Sequence, residues 1–346
     1  MNMQGQTSLK ALLLLIFFEC TIQTAGAQDC SQTLDKAQKL YESGIIEEIP
    51  QILTPCINEG LPPEERLQAF KLLILSYLFD QNIEEADKSM LNFLKDYPEY
   101  KLKPTDPAEF TQLFNSYHVI RFFSMGVVAG GNLSYPLLLK SYATNSQNLH
   151  GKYKNADIGY EGGIKLNFYL ASRLSLNLEL LYFENSFGYL LIQPGLQNIH
   201  SKENQTKLEL PLTLTYDFGS NRIRPYLGIG GSLDYLIIAI ENKDLSAFSQ
   251  GVNISGSGIK ITSGRRQFNY NGILDCGVKY KIPRGFVFFD VRWKQGLMNQ
   301  VLTSHRYNAA ETYLYQNPDD NFTLNNLIFS VGYVHSFFKA KKKRLT

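Results

Sequence analysis

The segment Lys207-Leu208-Glu209-Leu210-Pro211-Leu212-Thr213-Leu214-Thr215-Tyr216-Asp217-Phe218 decides how this chain is read. Side chains alternate with period two along a strand. Leu208, Leu210, Leu212, Leu214, Tyr216 and Phe218 therefore share one face, and Lys207, Glu209, Thr213, Thr215 and Asp217 share the other. The division recurs on both sides. Ile158, Tyr160, Gly162, Ile164, Leu166 and Phe168 oppose Asp157, Glu161, Lys165 and Asn167, and Leu174, Leu176, Leu178, Leu180 and Tyr182 oppose Arg173, Ser175, Asn177 and Glu179. Phe268, Tyr270, Leu274, Cys276, Val278 and Tyr280 oppose Asn269, Asn271, Asp275 and Lys279. Val287, Phe289, Val291 and Trp293 oppose Asp290, Arg292 and Lys294. Looser versions at 119–132, 223–237 and 324–338 make eight segments, each long enough for the roughly 9 to 11 residues of a tilted membrane-crossing strand.

Connection lengths supply a second signal. Three turns are short, around Ala171-Ser172, Gly219-Ser220-Asn221 and Pro283-Arg284-Gly285, while four connections, at about 134–155, 187–205, 240–264 and 299–322, read as long loops. Short turns on one side and long loops on the other are the habit of outer-membrane barrels, whose strand termini lie on the periplasmic side. A lipocalin-like barrel or a β-sandwich alternates equally well but keeps its apolar face inside. Charges set opposite large aliphatic residues with almost no exceptions favour the membrane arrangement. The expected class is α+β: an eight-stranded antiparallel transmembrane β-barrel over 118–338, preceded by a periplasmic α-helical domain over 28–117.

Composition agrees. The 346 residues carry 34 Lys or Arg against 32 Asp or Glu, a net +2, which gives no electrostatic footprint for nucleic acid. The longest apolar run, Ala11 to Phe18, is too short for a spanning helix, so a polytopic helical membrane protein is excluded. That run follows Lys10 and precedes Ala25-Gly26-Ala27, the pattern of a signal peptide over 1–27. Cys20 invites a lipoprotein reading, but Phe17-Phe18-Glu19 lacks the small residues a lipidation signal needs ahead of the Cys.

From Ser31 to about Tyr117 the apolar spacing becomes helical, with five expected helices at about 31–43, 45–58, 63–79, 83–96 and 107–117. Leu73, Tyr77, Ala86 and Pro98 sit at tetratricopeptide spacing, whereas the earlier pair fits less well and places Pro50 where a small residue belongs. Cys30 opens the first helix and Cys56 lies near the end of the second, ends that meet in an antiparallel hairpin. A disulfide there would stabilise by roughly 3 kcal/mol in the chain-entropy model. Cys276 then stays unpaired and faces lipid. No metal ligand set and no cofactor motif accompanies these cysteines.

The eight-segment region, closing with Phe329-Ser330-Val331-Gly332-Tyr333-Val334-His335-Ser336-Phe337-Phe338, resembles the outer-membrane β-barrel superfamily of small eight-stranded porin-like proteins, most nearly the PorT-like barrels of the Bacteroidetes. Gly332, Phe337 and Phe338 are similar to the signal read by the barrel-insertion machinery. Two departures stand out: His335 at an outward position that is normally apolar, and the basic tail Lys339 to Thr346 after the aromatic end. The resemblance implies location in the cell outer membrane and an insertion route, and no single activity.

Eight strands enclose an interior that side chains fill. The inward charges inferred from the alternation are Asp157, Glu161, Glu179, Glu209, Asp217, Asp234, Asp275 and Asp290 against Lys165, Arg173, Lys207, Arg224, Lys279, Lys281, Arg292 and Lys294, equal in number. Balanced charges in a narrow space should pair, since an unpaired one is costly. The expectation is a plug; a narrow pore is the alternative.

Enzymatic readings are weaker. Gly-x-Ser-x-Gly, His-Glu-x-x-His, P-loop and dinucleotide fingerprints are missing, and Gly228-Ile229-Gly230-Gly231 reads as bending in a strand. His118 and His335 read as headgroup-level side chains, and His150, His200 and His305 as loop residues. The loops carry apolar residues, and Tyr135, Leu138, Tyr189, Leu191, Tyr313 and Tyr315 are candidate surface contacts for lipopolysaccharide or a protein partner. The alternative is that these stretches simply extend the strands beyond the bilayer. The leading expectation is a non-enzymatic barrel anchoring an envelope assembly, such as a secretion or uptake complex, through its helical domain. A lipid-modifying barrel enzyme is the runner-up.

Overall fold

The computed structural model describes residues 24–142, 152–155, 157–193, 197–219, 221–248, 251–307, 314–315 and 318–343. The chain is mixed α+β and divides into two compact units, Met1–Ile120 with Phe338–Thr346, and Arg121–Phe337. Most of the expected signal peptide, 1–23, lies outside the described residues, as do Tyr313 and His150. No helix among the described residues is long and apolar enough to cross a membrane.

Among the described residues of the first unit there are five helices: α1 (Thr24–Glu42), α2 (Ile49–Glu59), α3 (Pro63–Phe79), α4 (Ile83–Asp96) and α5 (Ala108–Asn115). The expected ends of the third and fourth are observed; the first starts earlier and the second later than the periodicity suggested. Pro50 explains the later start, because a ring that lacks an N–H is tolerated in the first helical turn, and it lies there in α2. α3 buries Ala69 and Phe70 and then every residue from Leu72 to Ser76. A helix apolar nearly all round is covered on several sides, and α3 packs against α1, α2, α4 and α5. Asn82 caps α4 by accepting the Glu85 N–H. Cys30 and Cys56 are bonded, with Cα atoms 5.4 Å apart, and Cys276 is free and exposed.

Ten strands follow: β1 (Tyr117–Lys140), β2 (Lys152–Asn155), β3 (Gly159–Tyr169), β4 (Leu174–Gln193), β5 (Gln197–Asp217), β6 (Ile223–Ala247), β7 (Val252–Lys260), β8 (Phe268–Ile282), β9 (Gly285–Gly296) and β10 (Asn321–Lys342). Hydrogen bonding orders them β2-β4-β3-β1-β10-β9-β8-β6-β5, and β4 also pairs with β5. Following the pairings through the eight long strands therefore leads back to the start. β2 and β7 are short additions on β4 and β6.

Two of the expected long loops are strands instead. β4 and β5 remain paired from Leu174↔Tyr216 out to Gln193↔Gln197, and β6 folds back on β7 from Ala247↔Val252 to Ile240↔Lys260. The short turns behave as expected, with one exchange of roles. Between β8 and β9 the left-handed residue is Arg284 (φ 58°), not the adjacent glycine. Gly285 is kept for close approach, because a Cβ there would lie 2.2 Å from the Val334 carbonyl oxygen of β10.

The alternation settles which face is which. Leu208, Leu210, Leu212, Leu214, Tyr216 and Phe218 are 39 to 47% exposed, while Lys207, Glu209, Thr213, Thr215 and Asp217 are at most 8% exposed. Polar side chains fill the ring and apolar ones coat it, the reverse of a soluble barrel. From Leu208 to Phe218 the coat spans about 26 Å at ordinary strand rise and tilt, the height of an outer-membrane apolar band. Aromatic pairs mark its rims: Tyr160 with Tyr182 and Tyr235 with Phe268 at one, Phe123 with Phe168 and Phe337 at the other. Beyond the first rim the outward residues of β5 become Thr206, Asn204, Lys202 and His200.

Candidate functional site

Inside the ring the inward positions of neighbouring strands converge on a few ion pairs. Arg292 of β9 donates through Nη2 to both oxygens of Glu179 on β4, at 2.9 and 3.0 Å, and Lys165 of β3 donates to the same carboxylate at 2.7 Å. Lys294 Nζ bonds Glu209 at 2.5 Å and Asp234 at 3.4 Å while lying 3.8 Å from the centre of the Phe183 ring. Lys279 meets Asp217 at 2.6 Å, Ser330 donates to Glu161 at 2.6 Å, and the Tyr226 hydroxyl reaches Asp290 at 3.1 Å. Val128, Leu181, Phe286, Phe288 and Val334 pack among these charges. A space so filled restrains its ions by mutual contact.

Glycines shape this interior. A Cβ at Gly230 would lie 2.1 Å from the Leu212 carbonyl oxygen, and one at Gly228 would occupy the place of the Asp275 carboxylate. These residues were expected to bend the strand; their inward positions also admit a neighbouring backbone and a buried acid.

Most of the inferred inward charges are buried: Glu161, Lys165, Glu179, Lys207, Glu209, Asp217, Asp234, Asp275, Lys279, Asp290, Arg292 and Lys294. Four are corrected. Asp157 precedes β3 and is exposed, paired with Lys202, and Arg173 is exposed in the β3–β4 turn, where strand alternation has ended. Arg224 and Lys281 are half-buried at the ring end, beside Arg121 and Asp217 in a small cavity.

The loop contacts need a larger correction. Tyr189 and Leu191 are buried, packed with Ile199 and Leu245, because the β4–β5 extension keeps its alternation and turns them inward, and Tyr315 packs into the same cluster. Leu138 is half-buried, and of the described candidates only Tyr135 is exposed. Below that apolar cluster lies an ionic one that the sequence reading missed. Arg265 clasps Glu203 through Nε and Nη2, at 2.9 and 2.7 Å, and Asp319 through Nη1 at 2.5 Å. Ser201 donates to Glu241 at 2.5 Å, and Lys243 lies 3.5 Å from Glu241. Together with Tyr153, Phe187, Tyr189 and Phe322 they surround a cavity of about 20 Å³, room for a water molecule. Burial pushes the Glu241 carboxyl up, against the pull of Lys243; burial acts likewise on Asp319, but Arg265 and Lys243 hold it below the usual carboxylate range.

The helical unit offers a second kind of surface. Between α2, α3 and α4 lies an open groove of about 380 Å³, floored by Ile57, Phe70, Leu73 and Tyr77 and rimmed by Asn58, Arg66, Lys88, Asn92 and Lys95. Its acids are engaged, Asp96 with Arg66 at 3.3 Å and Glu85 with Lys88 at 2.8 Å.

No family model matches the chain, and no curated protein matches it. Among solved structures it is similar to Neisserial surface protein A, with 13% identity over 63% of this chain and 99% of that one at a TM-score of 0.31. It is similar to the outer membrane protein OprG of Pseudomonas aeruginosa, with 10% identity over 63% and 97% at 0.34. Outer Membrane Protein W of E. coli gives 15% identity over 63% and 98% at 0.29. Scores this low leave the assignment of fold to the chain's own ring of strands and apolar coat.

Proposed function

We propose that the protein is a non-enzymatic, eight-stranded outer-membrane barrel of PorT-like kind, whose tetratricopeptide-like helical unit lies in the periplasm and docks an envelope protein, so that the barrel anchors an assembly. The interior supports this reading most directly: Arg292, Lys165 and Glu179 join strands across the ring, and such a paired network is a filled core rather than a path for ions. The groove between α2, α3 and α4 has the size of a binding cleft, and Asn58, Asn92 and Lys95 on its rim offer donors that suit the carbonyls and carboxylates of a partner segment. Lipopolysaccharide is the neighbour of the outward face.

Envelope fractionation combined with a photo-crosslinking residue in intact cells tests the reading. A crosslinker at Asn92, in the groove, should yield a discrete adduct in the outer-membrane fraction, and one at exposed Lys101 should not. No adduct from the groove, together with altered lipid A acylation in a deletion strain, would overturn it in favour of a lipid-modifying enzyme.

A further inference from the structure

The residues after Phe338 read from sequence as a basic tail, but β10 runs on through them to Lys342. Ala340 and Lys342 share a face, and Lys339 and Lys341 share the opposite one. Ala340 packs against the helical core. Lys342 pairs with Asp87 of α4 and sits 5.8 Å from the centre of the Tyr117 ring. The Tyr117 hydroxyl donates to the other Asp87 oxygen at 2.6 Å, and the Lys343 N–H donates to the Ser116 carbonyl at 2.7 Å, where α5 gives way to β1. Three elements distant in sequence thus meet at one carboxylate. Lys342 is half-exposed and its ion pair is weak by itself, but reversal to Glu would set a second carboxylate against Asp87 at the point where the Tyr117 hydroxyl also bonds. Backbone pairing, packing of Ala340 and the buried Tyr117 make the contact cooperative.

We propose that the C-terminal end of β10 is a strap that completes the helical unit, so that α4 and α5 reach their final form only in a chain whose last strand has been made and paired with its first. A chain with an open ring leaves Asp87 without its cation and Ser116 without its donor. The helical unit would then be loosened until the ring closes, which ties any docking surface on α4 to a completed barrel.

Amide exchange on the full chain in detergent tests this, with heat-modifiable gel mobility reporting the ring. Deletion of residues 339–346 and Lys342→Glu should each keep heat modifiability and lose protection in α4 and α5. Lys341→Glu, with the same charge change on the other face, should keep protection as in the wild type. Should the deletion stop the ring from forming, Lys342→Glu decides alone. Wild-type protection in Lys342→Glu, or equal loss in Lys341→Glu, would overturn the proposal.

Discussion

Arg292 and Glu179 come from strands on opposite sides of the ring, 113 residues apart, yet the Arg292 Nη2 atom sits 2.9 and 3.0 Å from the two Glu179 oxygens. A contact that spans the interior ties together strands that share no backbone hydrogen bond. Breaking it by charge reversal, Arg292→Glu, leaves uncompensated buried carboxylates and should cost on the order of 3 to 5 kcal/mol. Its neighbour Val291 faces outward, and Val291→Arg should cost about 2 to 4 kcal/mol near the bilayer midplane, where lipid offers no counter-charge. Denaturant unfolding in lipid vesicles measures both. A silent Arg292→Glu beside a non-folding Val291→Arg would mean that the polar face is outside.

Gly230 tests the close approach of β6 and β5. Gly230→Val drives a side chain into the Leu212 carbonyl and should abolish heat-modifiable mobility, whereas Gly272→Val, where a Cβ meets nothing within 4 Å, should leave it intact.

Mass mapping of the unreduced protein should find Cys30 joined to Cys56 and Cys276 as a free thiol. Reduction should lower the stability of the helical unit by roughly 3 kcal/mol. In vesicles, Cys276 should react with an apolar maleimide and resist a bulky charged one, as a lipid-facing thiol must.

Asp106 predicts the acid sensitivity of the helical unit. Burial favours its neutral form, but the Lys103 N–H at 2.7 Å, Lys71 at 2.5 Å and the Tyr100 hydroxyl at 2.7 Å overcome that and hold its carboxyl below the ordinary value. A carboxyl that titrates lower when folded contributes stability above its unfolded value and loses that contribution as pH falls through the folded one. Thermal unfolding of the helical unit, followed by amide exchange below about pH 4, the usual aspartate range, should therefore show steepening loss. Asp106→Asn should be less stable at neutral pH and flatter across the acid range.

The local pattern of the chain was enough to divide the strands into two faces. Period-two alternation is a property of the backbone, so Leu208 to Phe218 declared one apolar and one charged face, and the charged face is the one that is buried. Spacing likewise placed α3 and α4, and the hairpin geometry placed Cys30 beside Cys56. Tertiary structure alone decided where the strands stop and which charges meet. Past the aromatic rim the outward residues of β5 turn polar as well, so its upper half looked like loop, although the hydrogen-bonded ladder with β4 continues and turns Tyr189 and Leu191 inward. Arg265 finds Glu203 and Asp319 at separations of 62 and 54 residues, and Lys342 finds Asp87 at 255. No periodicity encodes such pairings, because they arise only when the finished fold brings segments distant in sequence together, and in the interior a buried charge must take the partner it finds there.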